Sequence, residues 1–144
     1  MKIAIGADHR GFEHKDYITK ELHNHEWTDV GAYNDERSDY PEFAILVAQH
    51  VARGDVDCGV LICGSGVGMV IAANRFAHVY AALAWDVASA RLSHEHDKSN
   101  ALVIPSDFVT KEQSVQMIVQ WLDATFRGGR YQERIDMIDK LGGL

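Results

Sequence analysis

This chain has little with which to reinforce itself covalently or to enter a membrane. Only two cysteines occur in 144 residues, Cys58 and Cys63. On one β-strand they would lie five positions apart and face opposite sides, which argues against a disulfide between them. No apolar run reaches the length of a membrane span, and Met1 leads straight into the strand-like Lys2-Ile3-Ala4-Ile5-Gly6, so a cytoplasmic protein with no membrane partner is expected. Cations are scarce as well: 14 Lys and Arg against 21 Asp and Glu give a net charge of −7. Without a basic block, a nucleic-acid backbone or an anionic membrane surface is a poor partner, and any anionic ligand must be held by a few local groups. Repeats, low-complexity tracts and linkers are also missing. At this length and 47% hydrophobic content, residues 1–144 make one domain with a core of its own.

Short β-rich runs alternate with longer segments that carry apolar residues at three- and four-residue spacing. Strands are expected at Lys2–Gly6, Trp27–Tyr33, Asp57–Cys63, Val79–Ala84 and Ala101–Pro105. Helices are expected at about Phe12–His25, Pro41–Arg53, Gly68–Arg75, Asp86–His94, Thr110–Phe126 and Tyr131–Leu141. Pro41 suits a first helical turn. This β-α-β-α order predicts an α/β fold: a parallel sheet with helices on both faces, whose ligands bind at the carboxyl ends of the strands. Polar groups collect there: Asp8-His9 after the first strand, Asp39-Tyr40 after the second, Cys63 to Gly68 after the third and Asp86 after the fourth.

The third of these clusters is the most telling. Val60-Leu61-Ile62-Cys63 runs into Gly64-Ser65-Gly66-Val67-Gly68 and then into an apolar helical segment. Glycines at alternate positions let backbone N–H groups approach a ligand, and the positive end of the helix dipole adds to the same spot. The same field is expected to lower the pKa of Cys63. By default a strand-end cysteine is a small buried hydrophobe. The glycine spacing is not the G-x-G-x-x-G of a dinucleotide site. His94 and His96 lack a third ligand, so no metal is expected. His14, His23, His25, His50 and His78 read as surface or satisfied residues, and Trp27, Trp85 and Trp121 as packing residues.

Six motifs in order, Asp8-His9-x-Gly11-Phe12, Ser38-Asp39-Tyr40-Pro41, Ile62-Cys63-Gly64-Ser65-Gly66-Val67-Gly68, Ile71-Ala72-Ala73-Asn74-Arg75, Leu92-Ser93-x-x-His96 and Gly128-Gly129-Arg130-x-x-x-Arg134, resemble the type B ribose-5-phosphate isomerase family. That family includes allose-6-phosphate and galactose-6-phosphate isomerases. The resemblance implies a Rossmann-like five-stranded parallel sheet in three α/β/α layers, with a C-terminal helix reaching a partner subunit. It implies a cofactor-free aldose–ketose isomerase that interconverts ribose 5-phosphate and ribulose 5-phosphate through a cis-enediolate. It also implies a homodimer, or a dimer of dimers, with shared active sites.

Carried over residue by residue, Cys63 would be the base that moves a proton between C1 and C2, and the Gly64, Gly66, Val67 and Gly68 amides would hold the oxyanion. Ser65 would assist proton movement between substrate oxygens. His96 would open the sugar ring; imidazole can take or give a proton near neutrality. Asp8 would orient hydroxyls, Tyr40 would line the pocket, and His9, Arg130 and Arg134 would clamp the phosphate, the arginines through their forked donors. A second type in this family uses a glutamate just after the glycine loop as base. Here Met69 ends the loop, so the cysteine type is expected.

Two positions depart from the pattern. Asp97 follows His96 where an asparagine is usual, and Pro105-Ser106-Asp107 stands where an arginine is usual near the end of the fifth strand. Asp97 would then face the sugar with a carboxylate that only accepts hydrogen bonds; Asn100 is the nearest amide that could stand in. Both aspartates add negative charge near an anionic ligand. Either they turn away, or the substrate is another sugar phosphate such as a six-carbon one, or the chain is a weakened sugar-phosphate or nucleotide binding module.

Overall fold

The computed structural model describes residues 1–143; Leu144, the last position of the expected domain, lies outside the described residues. Strands β1 (Lys2–Ala7), β2 (Glu26–Asp29), β3 (Cys58–Cys63), β4 (Ala81–Leu83) and β5 (Ala101–Pro105) form one sheet in the order β2-β1-β3-β5-β4. Every neighbouring pair is parallel. Helices α1 (Phe12–Glu21), α2 (Tyr40–Arg53), α3 (Val67–Ala73), α4 (Val87–Asp97), α5 (Lys111–Asp123) and α6 (Arg130–Asp139) follow in sequence, closed by a 3-10 turn at Lys140–Gly143. No described helix is long and apolar enough to cross a membrane.

Side chains on the central strands alternate between two cores, as period-two geometry requires. Ile3, Ile5, Val60, Ile62, Leu102 and Ile104 pack on the α1 and α5 side with Ile18, Met117, Ile118 and Trp121. Ala4, Leu61, Cys63, Ala101 and Val103 pack on the α2 and α3 side with Phe43, Val47, Met69 and Ala73. Each fully buried aliphatic contributes about 1.5–3 kcal/mol. The two cysteines separate accordingly: Cys58 belongs to the first core and Cys63 to the second.

Element ends differ from the expectation for local reasons. β2 stops at Asp29 rather than Tyr33, where Gly31 turns to φ 104°. α4 runs past His94 to Asp97 before Lys98 takes a left-handed conformation, so His96 and Asp97 lie on the last helical turn. Asp86 has a structural role: its Oδ1 accepts the Ser89 N–H at 2.7 Å, and Ser89 Oγ accepts the Asp86 N–H at 3.1 Å, a capping box that starts α4.

The loop after β1 lies hard against β3. A methyl group at Gly11 would meet the Ile62 carbonyl oxygen at 2.6 Å, so only glycine allows this approach. Gly11→Ala is therefore expected to destabilise the fold by about 1–3 kcal/mol, read as a lower urea midpoint with an unchanged slope. An unaltered midpoint would show that this close approach is not needed.

Candidate active site

Cys63 ends β3 opposite Pro105 and is buried. Gly66, at φ 78°, turns the chain into α3, and the amides of Gly66, Met69 and Ser65 lie near the thiol and favour its charged form. Ser65 is exposed, and its Oγ accepts the Val67 N–H at 3.3 Å. Burial pushes the Cys63 thiol up from its ordinary value and the Asp8 carboxylate adds to the rise, while those amides pull it down; burial wins. This corrects the expectation of a lowered pKa, which counted the helix end and the glycines but not how deeply the sulfur sits.

Asp8 and His9 follow β1. Asp8 is buried, and its Oδ1 accepts the N–H groups of Arg10 at 3.0 Å and Gly11 at 3.2 Å. Its Oδ2 has no hydrogen-bond partner among the described residues and can accept from a ligand hydroxyl. His9 and Ser38 bind each other twice: His9 N–H donates to Ser38 Oγ at 3.1 Å, and Ser38 N–H donates to His9 Nδ1 at 3.2 Å. Because Nδ1 accepts, the ring proton sits on Nε2, a donor for an anionic ligand. The ring of Tyr40, the first residue of α2, lies against Gly68, where a side chain would collide with it. Asp8, His9, Tyr40 and the segment from Cys63 to Gly68 therefore share the carboxyl end of the sheet.

Asp107 is on this side too, and it is not a bare charge: it pairs with Arg10 above Gly64. The unpaired carboxylate expected from sequence is thus neutralised by an arginine that sequence reasoning passed over.

A second cluster gathers the remaining candidates. The His96 ring stacks on Tyr131, with centroids 4.5 Å apart and planes within 2°. Arg130 and Arg134 lie over the same phenol at 5.1 and 5.6 Å, and Arg130 Nη2 donates to its hydroxyl at 3.2 Å. The Arg130 hydrogen bond and the charges of Arg130, Arg127 and Arg134 hold the Tyr131 phenol below its usual range. Tyr131 was not expected from sequence; its place one residue after Arg130 was the only signal. Glu95 receives Arg91 and Arg127, each at 3.1 Å, tying α4 to the segment before α6.

Asp97 borders a cavity of about 730 Å³ together with Asn74, Arg75, Tyr80 and Asp139, at the amino end of β4. Asn100 cannot replace the missing amide. Its Nδ2 donates to the His78 carbonyl at 2.8 Å and its Oδ1 accepts the Tyr80 N–H at 2.8 Å. His94 Nδ1 lies 2.8 Å from the Ser99 carbonyl, and no three His, Cys, Asp or Glu side chains converge as a metal site among the described residues.

The two clusters stand at opposite ends of the sheet. Cys63 lies at the carboxyl end, level with Pro105, and Ala101 at the amino end, level with Gly59. That stretch of β5 spans about 13 Å. α4 returns from the carboxyl to the amino end over about 16 Å and carries His96 with it. The Arg127 N–H donates to the Glu95 carbonyl at 3.0 Å, which holds the start of α6 at that end too. Within one chain, His96 and Cys63 do not meet.

Comparison with known proteins is unambiguous. The family model described as Ribose/Galactose Isomerase matches residues 3–138. Ribose-5-phosphate isomerase B of Escherichia coli is 44% identical over 139 residues, covering 95% of this chain and 93% of that protein. The structure of ribose-5-phosphate isomerase B from Mycoplasma genitalium with bound ribulose-5-phosphate superposes with a TM-score of 0.93 at 40% identity, covering 99% of this chain and 96% of that one. The Thermotoga maritima ribose 5-phosphate isomerase gives 0.94 at 39% identity, with coverage of 96% and 97%.

The thiol's environment fixes its reactivity. Alkylation of Cys63 by iodoacetamide is expected to inflect above the roughly 8.5 of a free thiol, and Asp8→Asn, which removes a neighbouring negative charge, should move the inflection down. Cys58, pushed up to about 12 mainly by burial, does not compete. An inflection below that of a free thiol in the unaltered protein would contradict the description of this site.

Proposed function

The chain belongs to the ribose/galactose isomerase family, and on that premise we propose that it interconverts ribose 5-phosphate and ribulose 5-phosphate, each active site being assembled from two copies of the chain. The observation that carries the shared site is the placement of Cys63 and His96 at opposite ends of one sheet. A homodimer that brings the carboxyl end of one copy against the α4 and α6 ends of the other joins the thiol to the histidine and to both arginines. A dimer of dimers would satisfy the same requirement.

In such a site His96 of one copy takes the proton of the anomeric hydroxyl, the bond between C1 and the ring oxygen breaks, and the proton is returned to the released ring oxygen as the sugar opens to its aldehyde. Asp8 Oδ2 of the other copy accepts hydrogen bonds from the open chain. Each hydroxyl donated to Asp8 offsets the smaller, carboxylate part of what holds the thiol proton, the cradle amides favour the thiolate, and the thiol proton passes to water before Cys63 acts as base. Cys63 then abstracts the C2 proton and returns it to C1. Negative charge passes from sulfur to the enediolate oxygen inside one amide cradle, Gly64 to Gly68, which needs no reorganisation; a donor aimed at such an oxyanion is worth about 3 kcal/mol of barrier. Ser65 Oγ stands at the same turn to pass a proton between the two oxygens. His9 Nε2, Arg130 and Arg134 hold the phosphate.

Retention of a buried thiol in an amide cradle favours an enzyme over a binding module, and the neutralised Asp107 removes one of the two charges that spoke for the latter. A coupled isomerase assay on ribose 5-phosphate, allose 6-phosphate and galactose 6-phosphate, with chelator present, tests this. Fastest turnover is expected on ribose 5-phosphate. Cys63→Ala should lower kcat by roughly 10²–10⁴-fold while KM stays within a few-fold. Preference for a six-carbon substrate would overturn the substrate assignment, and undiminished kcat in Cys63→Ala would overturn the role of the thiol.

A further inference from the structure

Arg10 is the cation closest to the glycine loop that the proposed chemistry leaves unused. β3 lies between β1 and β5 in the sheet, so the Arg10–Asp107 pair, one partner following β1 and the other following β5, closes over the loop that follows β3. A methyl group at Gly64 would meet Arg10 Nε at 2.7 Å and Asp107 Oδ2 at 2.8 Å; the pair occupies the space that a side chain at position 64 would take. The backbone holds both partners there. Asp107 N–H donates to the Gly64 carbonyl at 3.0 Å, Ser106 N–H to the Cys63 carbonyl at 2.9 Å, and Ser106 Oγ to the Arg10 carbonyl at 3.0 Å.

This pair does little for stability, since its side chains are 56% and 38% exposed and exposed ion pairs contribute little. It does orient a guanidinium. One nitrogen, Nη2, is spent on Asp107, while Nε and Nη1 have no acceptor among the described residues. Asp107 therefore acts as a bracket that fixes the fork against Gly64, the residue after the thiol, and leaves its other donors free. The neighbouring residue in the same loop is His9, whose Nε2–H has no partner among the described residues.

We propose that Arg10, anchored on Asp107, is a substrate-recognition residue that donates to the phosphate oxygens of the sugar phosphate, a third cation of the site contributed by the same copy as Cys63. This inference rests on the isomerase reading for its substrate but not for its anion. Arg10 acts on the ligand rather than on the base: the groups that move the thiol are its burial, the Gly66, Met69 and Ser65 amides and Asp8. A forked cation on a dianion gives short, charge-assisted bonds, and losing one typically weakens binding on the order of tenfold to a hundredfold.

The test compares the unaltered protein with Arg10→Ala, Arg10→Lys and the double variant Arg10→Ala/Asp107→Ala. The readouts are KM and kcat on ribose 5-phosphate, the dissociation constant of inorganic phosphate by calorimetry, and Tm. Arg10→Ala should raise KM and weaken phosphate binding on the order of tenfold or more, with kcat and Tm nearly unchanged. Arg10→Lys should recover part of the loss, and the double variant should stay as weak as Arg10→Ala. Recovery in the double variant would mean that Arg10 merely neutralises Asp107, and unchanged phosphate binding in Arg10→Ala would mean that the pair is only a strap; either result overturns the proposal. Phosphate binding reports on Arg10 even if the unaltered protein turns over none of the sugars, so failure of the isomerase reading shows separately.

Discussion

Strand direction is the constraint on which everything else depends. In a parallel sheet every strand delivers its last residue to the same edge, and every crossover helix carries the chain back to the other. Asp8, Tyr40 and Cys63 follow strands or open the helix after one, so they gather at the carboxyl edge. His96 ends α4 and Arg130 begins α6, so they gather at the amino edge. No side-chain rotation closes a gap of about 13 Å along β5. A fold that is self-sufficient in its core thus holds these residues at two separate edges, and on the proposed reading association is part of catalysis rather than an addition to it.

The thiol shows how local fields compete. A helix end and a turn of glycines favour the thiolate, yet Cys63 is packed into the core beneath α2 and α3 beside a carboxylate, and burial dominates. A thiol that holds its proton in this buried setting is guarded against idle oxidation or alkylation, both of which need the thiolate. On the proposed mechanism the same amides would serve the sulfur before proton transfer and the substrate oxygen after it.

Much of this was legible in the sequence because it is local. Strand and helix alternation, the opposite facing of Cys58 and Cys63, and the Cys63 to Gly68 turn all follow from periodicity and residue type within a few positions. What was not legible depends on partners distant in the chain. Asp107 looked like an uncompensated charge because its partner, Arg10, is 97 positions away. Asn100 looked free because its two backbone partners lie about twenty residues upstream. Tyr131 became visible only once α6 was laid against the end of α4. Asp86, which follows β4, has a role that is legible locally: its Oδ1 caps the start of α4.

Subunit complementation tests the shared site most directly. Cys63→Ala and His96→Ala chains, each inactive as a pure assembly, are unfolded together and allowed to reassociate. If each site takes its thiol from one copy and its histidine from another, about half of randomly assorted dimers are mixed and each carries one intact site, so about a quarter of the unaltered activity returns. No activity beyond that of the two separate proteins would place Cys63 and His96 in the same copy's site and contradict the division described here.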